Sequence, residues 1–182
     1  LPFFLFSPTA GQFADKLPKA GLIRKVKLFE ILIMIAAAVG FALEAPVMLL
    51  TVLFFMGAQS AIFGPLKYGI LPELLEEDEL VGGNALIETA TFLVILIGTL
   101  LGSLIVLRAY GLTVVSILCI GVAALGWLTS RQIPDRPAAS PGMKINYNFV
   151  SETFHMIRFG YRDLPIFRSI IGISWFWLVG SV

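Results

Sequence analysis

Charge vanishes from this chain for long intervals. Residues 45–66, 89–107 and 109–130 contain no Asp, Glu, Lys or Arg and are dense in Leu, Ile, Val and Phe. Each interval has about the 20 residues that a helix needs to cross the hydrocarbon core of a bilayer. Three of them in a chain of 182 residues predict an all-α, polytopic membrane protein. The core of a soluble domain has no use for apolar segments of that length in series.

Six helices are predicted from this pattern. The first ends near Ala14. The second covers residues 27–45, uncharged from 31 to 43, with Glu30 and Glu44 toward its two ends, where a charge costs less than at mid-bilayer. The third covers 46–66 and opens on Pro46, whose missing N–H is harmless in a first turn. The fourth covers 84–107 and the fifth 111–130, and the sixth starts near Ile166. Both termini fall in apolar sequence, so the chain reads as part of a longer protein.

The polar connectors alternate in size and charge. Residues 15–27 hold Lys16, Lys19, Arg24, Lys25 and Lys27. Residues 67–80 hold Lys67 and an acidic block of Glu73, Glu76, Glu77, Asp78 and Glu79. Residues 131–165 hold Arg131, Arg136, Lys144, Arg158 and Arg162. If every helix spans, these three connectors share one side of the membrane. The opposite connectors, 44–46 and 108–110, are short, and Arg108 is their one basic residue. Basic residues concentrate in cytoplasmic loops, so the long connectors are expected in the cytoplasm, and acidic residues count little in that rule. The acidic block also suits the positive N-terminal end of the fourth helix.

The longest connector has two parts. Residues 131–143, rich in Pro, Ala and Ser, read as a flexible linker. In residues 146–161, Phe149, Val150, Phe154, Ile157 and Tyr161 recur at near-helical spacing, with Arg158 and Arg162 on other faces. That is the pattern of an amphipathic helix lying on a membrane surface or of a connector packed under the bundle.

Composition agrees with the pattern: 58% of residues are hydrophobic and 14% charged, against about 25% charged in soluble domains. A net charge of +1 gives no sign of a nucleic-acid partner. Cys119 lies in an apolar run and reads as a small buried hydrophobe; His155 lies in a polar segment and reads as a surface residue. One Cys and one His make no metal site or catalytic triad, no phosphate-cradling Gly-rich loop is present, and no cofactor is implied. Nothing within the chain predicts an enzyme.

Two segments carry a family resemblance. Gly11-Gln12-Phe13-Ala14-Asp15-Lys16, with basic residues following to Lys27, resembles the gating loop between the second and third helices of the major facilitator superfamily. A glycine there lets two helices approach, and the aspartate pairs with basic groups or faces helix N-termini. The superfamily usually has Gly and Arg after the first basic residue, whereas this chain has Leu17-Pro18-Lys19. Lys16 and Lys19 supply charge in place of that arginine. More specifically, Gly64-Pro65-Leu66-Lys67-Tyr68-Gly69-Ile70-Leu71-Pro72-Glu73, then Asn84-Ala85-Leu86-Ile87-Glu88, is similar to the lysophospholipid transporter branch of that superfamily. Ser174-Trp175-Phe176-Trp177 fits the same branch.

The resemblance implies a partial major facilitator fold, from an incomplete second helix to an incomplete seventh. Residues 1–130 would form the N-terminal half without its first helix, 131–165 a cytoplasmic central loop, and 166–182 the start of the C-terminal half. It further implies lysophospholipid transport by alternating access across a bacterial inner membrane, with membrane lipid as surroundings and lysophospholipid as substrate. Two alternatives stay open: the membrane portion of a fusion to, or partner of, an acyltransferase and acyl-carrier-protein synthetase, and a carrier of another amphiphile or drug. Candidate gating residues are Gly11, Asp15, Lys16 and Lys19. Candidates for substrate contact or internal salt bridges are Lys67, Tyr68, Asn84, Glu88 and Glu30. Gly64, Pro65 and Gly69 are expected to break the helix around Lys67, and broken helices at membrane depth are tolerated where they line a cavity. Lys67 and Glu88 either pair or meet substrate. Glu30 reads as a structural partner of the basic residues before it. Gly98 and Gly102, a small-xxx-small pair, are expected to pack closely against a second helix.

Overall fold

The computed structural model describes residues 2–146 and 148–180. Every regular element among them is helical: α1 (Pro2–Lys16), α2 (Lys19–Ala42), α3 (Pro46–Gly69), α4 (Leu71–Leu74), α5 (Leu80–Val106), α6 (Gly111–Ser130), α7 (Phe149–Arg162) and α8 (Leu164–Gly180). Three helical segments are long and apolar enough to cross a membrane: Pro46–Leu74, Leu80–Val106 and Gly111–Ser130. The bent pair α7–α8 adds up to one more. In α2, by contrast, the charges crowd the first half. Its uncharged part, residues 31–42, rises only about 18 Å at 1.5 Å per residue.

The chain divides into two compact units, meeting between Lys144 and Ile145. In the first, α2 packs along α3 and α6, α1 packs along α3, and α5 leans on α6. Ala14, Ile23, Leu66 and Ile70 form its buried apolar cluster, with Leu22, Val26, Ile62, Phe63 and Ile133 packed around them. Most other large apolar side chains, including nearly all of those on α5, are exposed. That is the surface a helix offers to lipid, not to water. In the second unit α7 and α8 meet at a bend of 117°. Tyr161 stacks on Phe167 with ring centroids 4.3 Å apart, and Gly160 leaves room for Ile170. Asn148 caps α7 by accepting the Ser151 N–H at 3.1 Å. The side chains of Phe149 and Trp177, used in the sequence patterns above, lie outside the described set.

The tight turns have clear causes. After α2, Glu44 takes a left-handed conformation (φ 48°), Ala45 N–H bonds Gly40 O at 3.0 Å, and Glu44 N–H bonds Phe41 O at 3.2 Å. This reciprocal pattern satisfies two carbonyls at the helix end. Tyr110, the residue before α6, is also left-handed (φ 60°). Its neighbour Gly111 is packed so closely that a Cβ would fall 2.2 Å from Ile105 O, so only glycine fits.

Several predicted boundaries move. The basic connector 15–27 shrinks to Leu17–Pro18. Lys19 and Ala20 are buried in the first turn of α2, and that burial starts the helix early. The predicted break is absent at Gly64 and Pro65, through which α3 runs, and falls at Gly69, where α3 ends before a turn at Ile70. A proline costs a helix about 3 kcal/mol. Here Leu66, 1% exposed beside it, holds the backbone in place. α5 begins at Leu80, one turn before Asn84. The linker 131–143 is also less free than its composition suggests. Arg24 bonds Ile133 O at 2.8 Å and pairs with Asp135 at 3.1 Å, and Ser140 N–H reaches Asp15 O at 2.8 Å.

Candidate functional site

Three polar groupings sit among the apolar helices of the first unit. The first surrounds the residues that the sequence offered as gating candidates. Gly11, Asp15 and Lys16 occupy the second half of α1, with Lys16 in the last turn, where a cation suits the negative end of the dipole. The Asp15 carboxylate is exposed; its contribution to the folded unit is its backbone carbonyl. Lys19 does more. Its side chain, 5% exposed, meets the Glu73 carboxylate at 2.5 Å. This ties the start of α2 to α4 and brings one member of the acidic block onto that helix end. Glu76, Glu77, Asp78 and Glu79 stay exposed.

The second grouping joins α3 to α5. Lys67 does not pair with Glu88. Its Nζ donates to Thr91 Oγ1 at 3.2 Å and lies 4.5 Å from the centroid of the Tyr68 ring. The Tyr68 hydroxyl donates to Glu88 Oε1. The cation and the acid are therefore linked through Tyr68, with Thr91 as the fourth member. Asn84 stands apart: its amide donates back to Leu80 O at 2.9 Å. Thr91 was not singled out from the sequence, although its position one turn beyond Glu88 places it on the same helix face.

The third grouping was only half visible. Glu30 pairs with Lys27 at 2.8 Å, each side chain 21% exposed. The same carboxylate oxygen accepts from Gln59 Nε2 at 3.0 Å. Lys27 Nζ also sits 4.6 Å from the Phe63 ring centroid. Its stem runs along Gly126 of α6, where a Cβ would lie 3.6 Å away. The pair thus sits where α2, α3 and α6 meet. Gln59 could have been noticed as an amide within an apolar run, since such a group needs an internal partner at membrane depth.

Beside this pair opens an apolar groove of about 430 Å³ between α2, α5 and α6. Glu30 is the one ionisable side chain with an ordinary carboxylate or ammonium head on its wall; Cys119, Gly98 and Gly102 line it too. The close packing expected at Gly98 and Gly102 is not what the described residues show. A Cβ on either would meet nothing within 4 Å, because the two glycines face the groove and not a helix. Cys119 is correspondingly exposed, not buried as its apolar run suggested. His155 is exposed as predicted, 3.8 Å from Glu152. Among the described residues no group of three or more His, Cys, Asp or Glu is arranged to hold a metal.

Long apolar helices with paired charges between them define a multi-pass, all-α membrane protein. Its relatives are specific. The chain is 33% identical to lysophospholipid transporter LplT of Enterobacter sp. strain 638 over 98% of its own length. It is 31% identical to the protein of that name from Klebsiella pneumoniae strain 342, and 30% to that of Escherichia coli O1:K1 / APEC, each over 98% of the chain. The similarity runs along nearly the whole chain, which spans 43% of the length of these relatives. No family model matches the chain, and no solved structure does.

Proposed function

We propose that the protein to which this chain belongs moves lysophospholipids across a bacterial inner membrane by alternating access, as part of a major facilitator fold. The observation that carries this reading is the similarity, over 98% of the chain, to proteins named lysophospholipid transporter. The residues support it. A substrate with one acyl chain and a charged headgroup needs an apolar path with a few polar anchors. The first unit offers apolar helices and two compact polar groupings, at Lys67–Tyr68–Glu88 and at Lys27–Glu30. In this reading Gly11, Asp15, Lys16 and Lys19 form a cytoplasmic gate that opens as two halves rock about a midplane site.

The proposed orientation places 67–80 and 131–165 in the cytoplasm, because basic residues favour that side. With Cys119 replaced by Ser, a cysteine at Ala109 then reacts with an impermeant thiol reagent in intact cells, and one at Ala139 does not. Transport itself is tested by uptake of labelled lysophosphatidylethanolamine into spheroplasts lacking their own carrier. Uptake above an empty-vector control is the expected result. Its absence, with the protein demonstrated in the membrane, removes the proposal.

A further inference from the structure

We propose that Glu30, held in place by Lys27, is a headgroup anchor that favours single-chain amphiphiles bearing an ammonium group, with the acyl chain lying in the groove between α2, α5 and α6. This rests on the lipid-transport reading above and adds the residue that sets headgroup preference.

The argument starts from charge inside an apolar wall. Glu30 lines the groove, and the rest of that wall is apolar apart from the Cys119 thiol. Placing an ionised pair between membrane helices is costly, so the arrangement calls for a use. The carboxylate is only partly occupied: Lys27 and Gln59 both bond Oε2, and Oε1 takes neither of those bonds. Lys27 stands off the groove wall, its stem against Gly126 and its ammonium over the Phe63 ring, and holds the carboxylate from that side. The second oxygen of the Glu30 carboxylate is the complement of a ligand ammonium in the groove. Charge-assisted hydrogen bonds of this kind are the strong ones.

The groove supplies the other half of the ligand. From Ala123 to Val115 on α6, and from Val94 to Ile105 on α5, its lining extends about 12–17 Å at 1.5 Å per residue. This suits one extended acyl chain. Gly98 and Gly102 leave its floor open. Its volume of about 430 Å³ lies within the usual range for small-molecule sites. An amphiphile whose headgroup carries phosphate and glycerol but no amine gains nothing from Glu30.

The test uses the full-length protein in spheroplasts and two labelled substrates, lysophosphatidylethanolamine and lysophosphatidylglycerol. In Glu30→Gln the ratio of ethanolamine to glycerol lipid uptake should fall about ten-fold or more, the size of one lost charge-assisted bond. Glu30→Asp, which keeps the charge, should recover part of it. An unchanged ratio, with or without a loss of total uptake, overturns the proposal and makes Glu30 a structural residue. A second readout keeps the outcome separate from transport. With Cys119 as the sole cysteine, lysophosphatidylethanolamine should slow its modification by N-ethylmaleimide, and Glu30→Gln should abolish that protection. Wild-type protein that moves neither lipid defeats the transport reading alone. Cys119 then decides: protection that depends on Glu30 supports the anchor, and no protection overturns it.

Discussion

The hydroxyl of Tyr68 donates to Glu88 Oε1, closing the space between α3 and α5. The ring of the same tyrosine lies beneath the Lys67 ammonium, 4.5 Å from the centroid. One aromatic side chain thus stands between a cation and an acid that the sequence left either to pair directly or to meet substrate.

Coupling should follow that contact. In a double-mutant cycle read by thermal stability of the purified protein, Tyr68→Phe and Glu88→Gln should interact by about 0.5 kcal/mol or more. Lys67→Ala and Glu88→Gln should come closer to additivity. A larger coupling for the second pair would restore the direct salt bridge and displace Tyr68 from its role.

Lys19 and Glu73 provide a more buried case. Removing the acid leaves an ammonium with 5% exposure facing no carboxylate. Glu73→Gln should therefore destabilise by up to about 3–5 kcal/mol, the range for breaking a buried pair. Lys19→Met combined with Glu73→Gln should recover much of that loss. Thermal unfolding of the two variants checks this. A double variant as unstable as Glu73→Gln would show that the lysine stem, and not its charge, matters.

Arg24 should control the linker. It bonds the backbone of Ile133 as well as the exposed Asp135 carboxylate. An exposed ion pair is worth about 0–1 kcal/mol, so Asp135→Asn should change little. Arg24→Ala removes both contacts and leaves Ile133 less firmly held. Trypsin should then cut after Arg131 several-fold faster than in the parent protein. Equal cutting rates would mean that packing of Ile133 alone seats the strap.

Asp15 should affect transport without affecting folding. Its carboxylate is exposed, and the bond that fastens this point uses its backbone carbonyl, which accepts the Ser140 N–H. Asp15→Asn keeps that carbonyl. Membrane abundance should stay near the wild-type level while uptake of the labelled lysophospholipid falls. Normal uptake would separate the motif from gating.

By itself the sequence determined the all-α membrane class, the positions of α3, α5 and α6, and the amphipathic α7. Each follows from local signals that act within a few turns: long uncharged intervals, Pro46 in a first turn, and near-helical repetition of aromatic and branched residues. The family resemblance was legible for the same reason, since Lys67-Tyr68-Gly69-Ile70-Leu71 and Asn84 to Glu88 are contiguous. Only the tertiary structure decided who meets whom. Glu73 lies 54 positions from Lys19, Gln59 lies 29 from Glu30, and Asp135 lies 111 from Arg24. No periodicity encodes such distances. The same limit explains Pro65, whose local tendency to break a helix was overridden by the burial of Leu66. It explains Gly98 and Gly102 as well: a small-residue stripe specifies that something approaches closely, and only the placement of α2 and α6 shows that they leave a groove there.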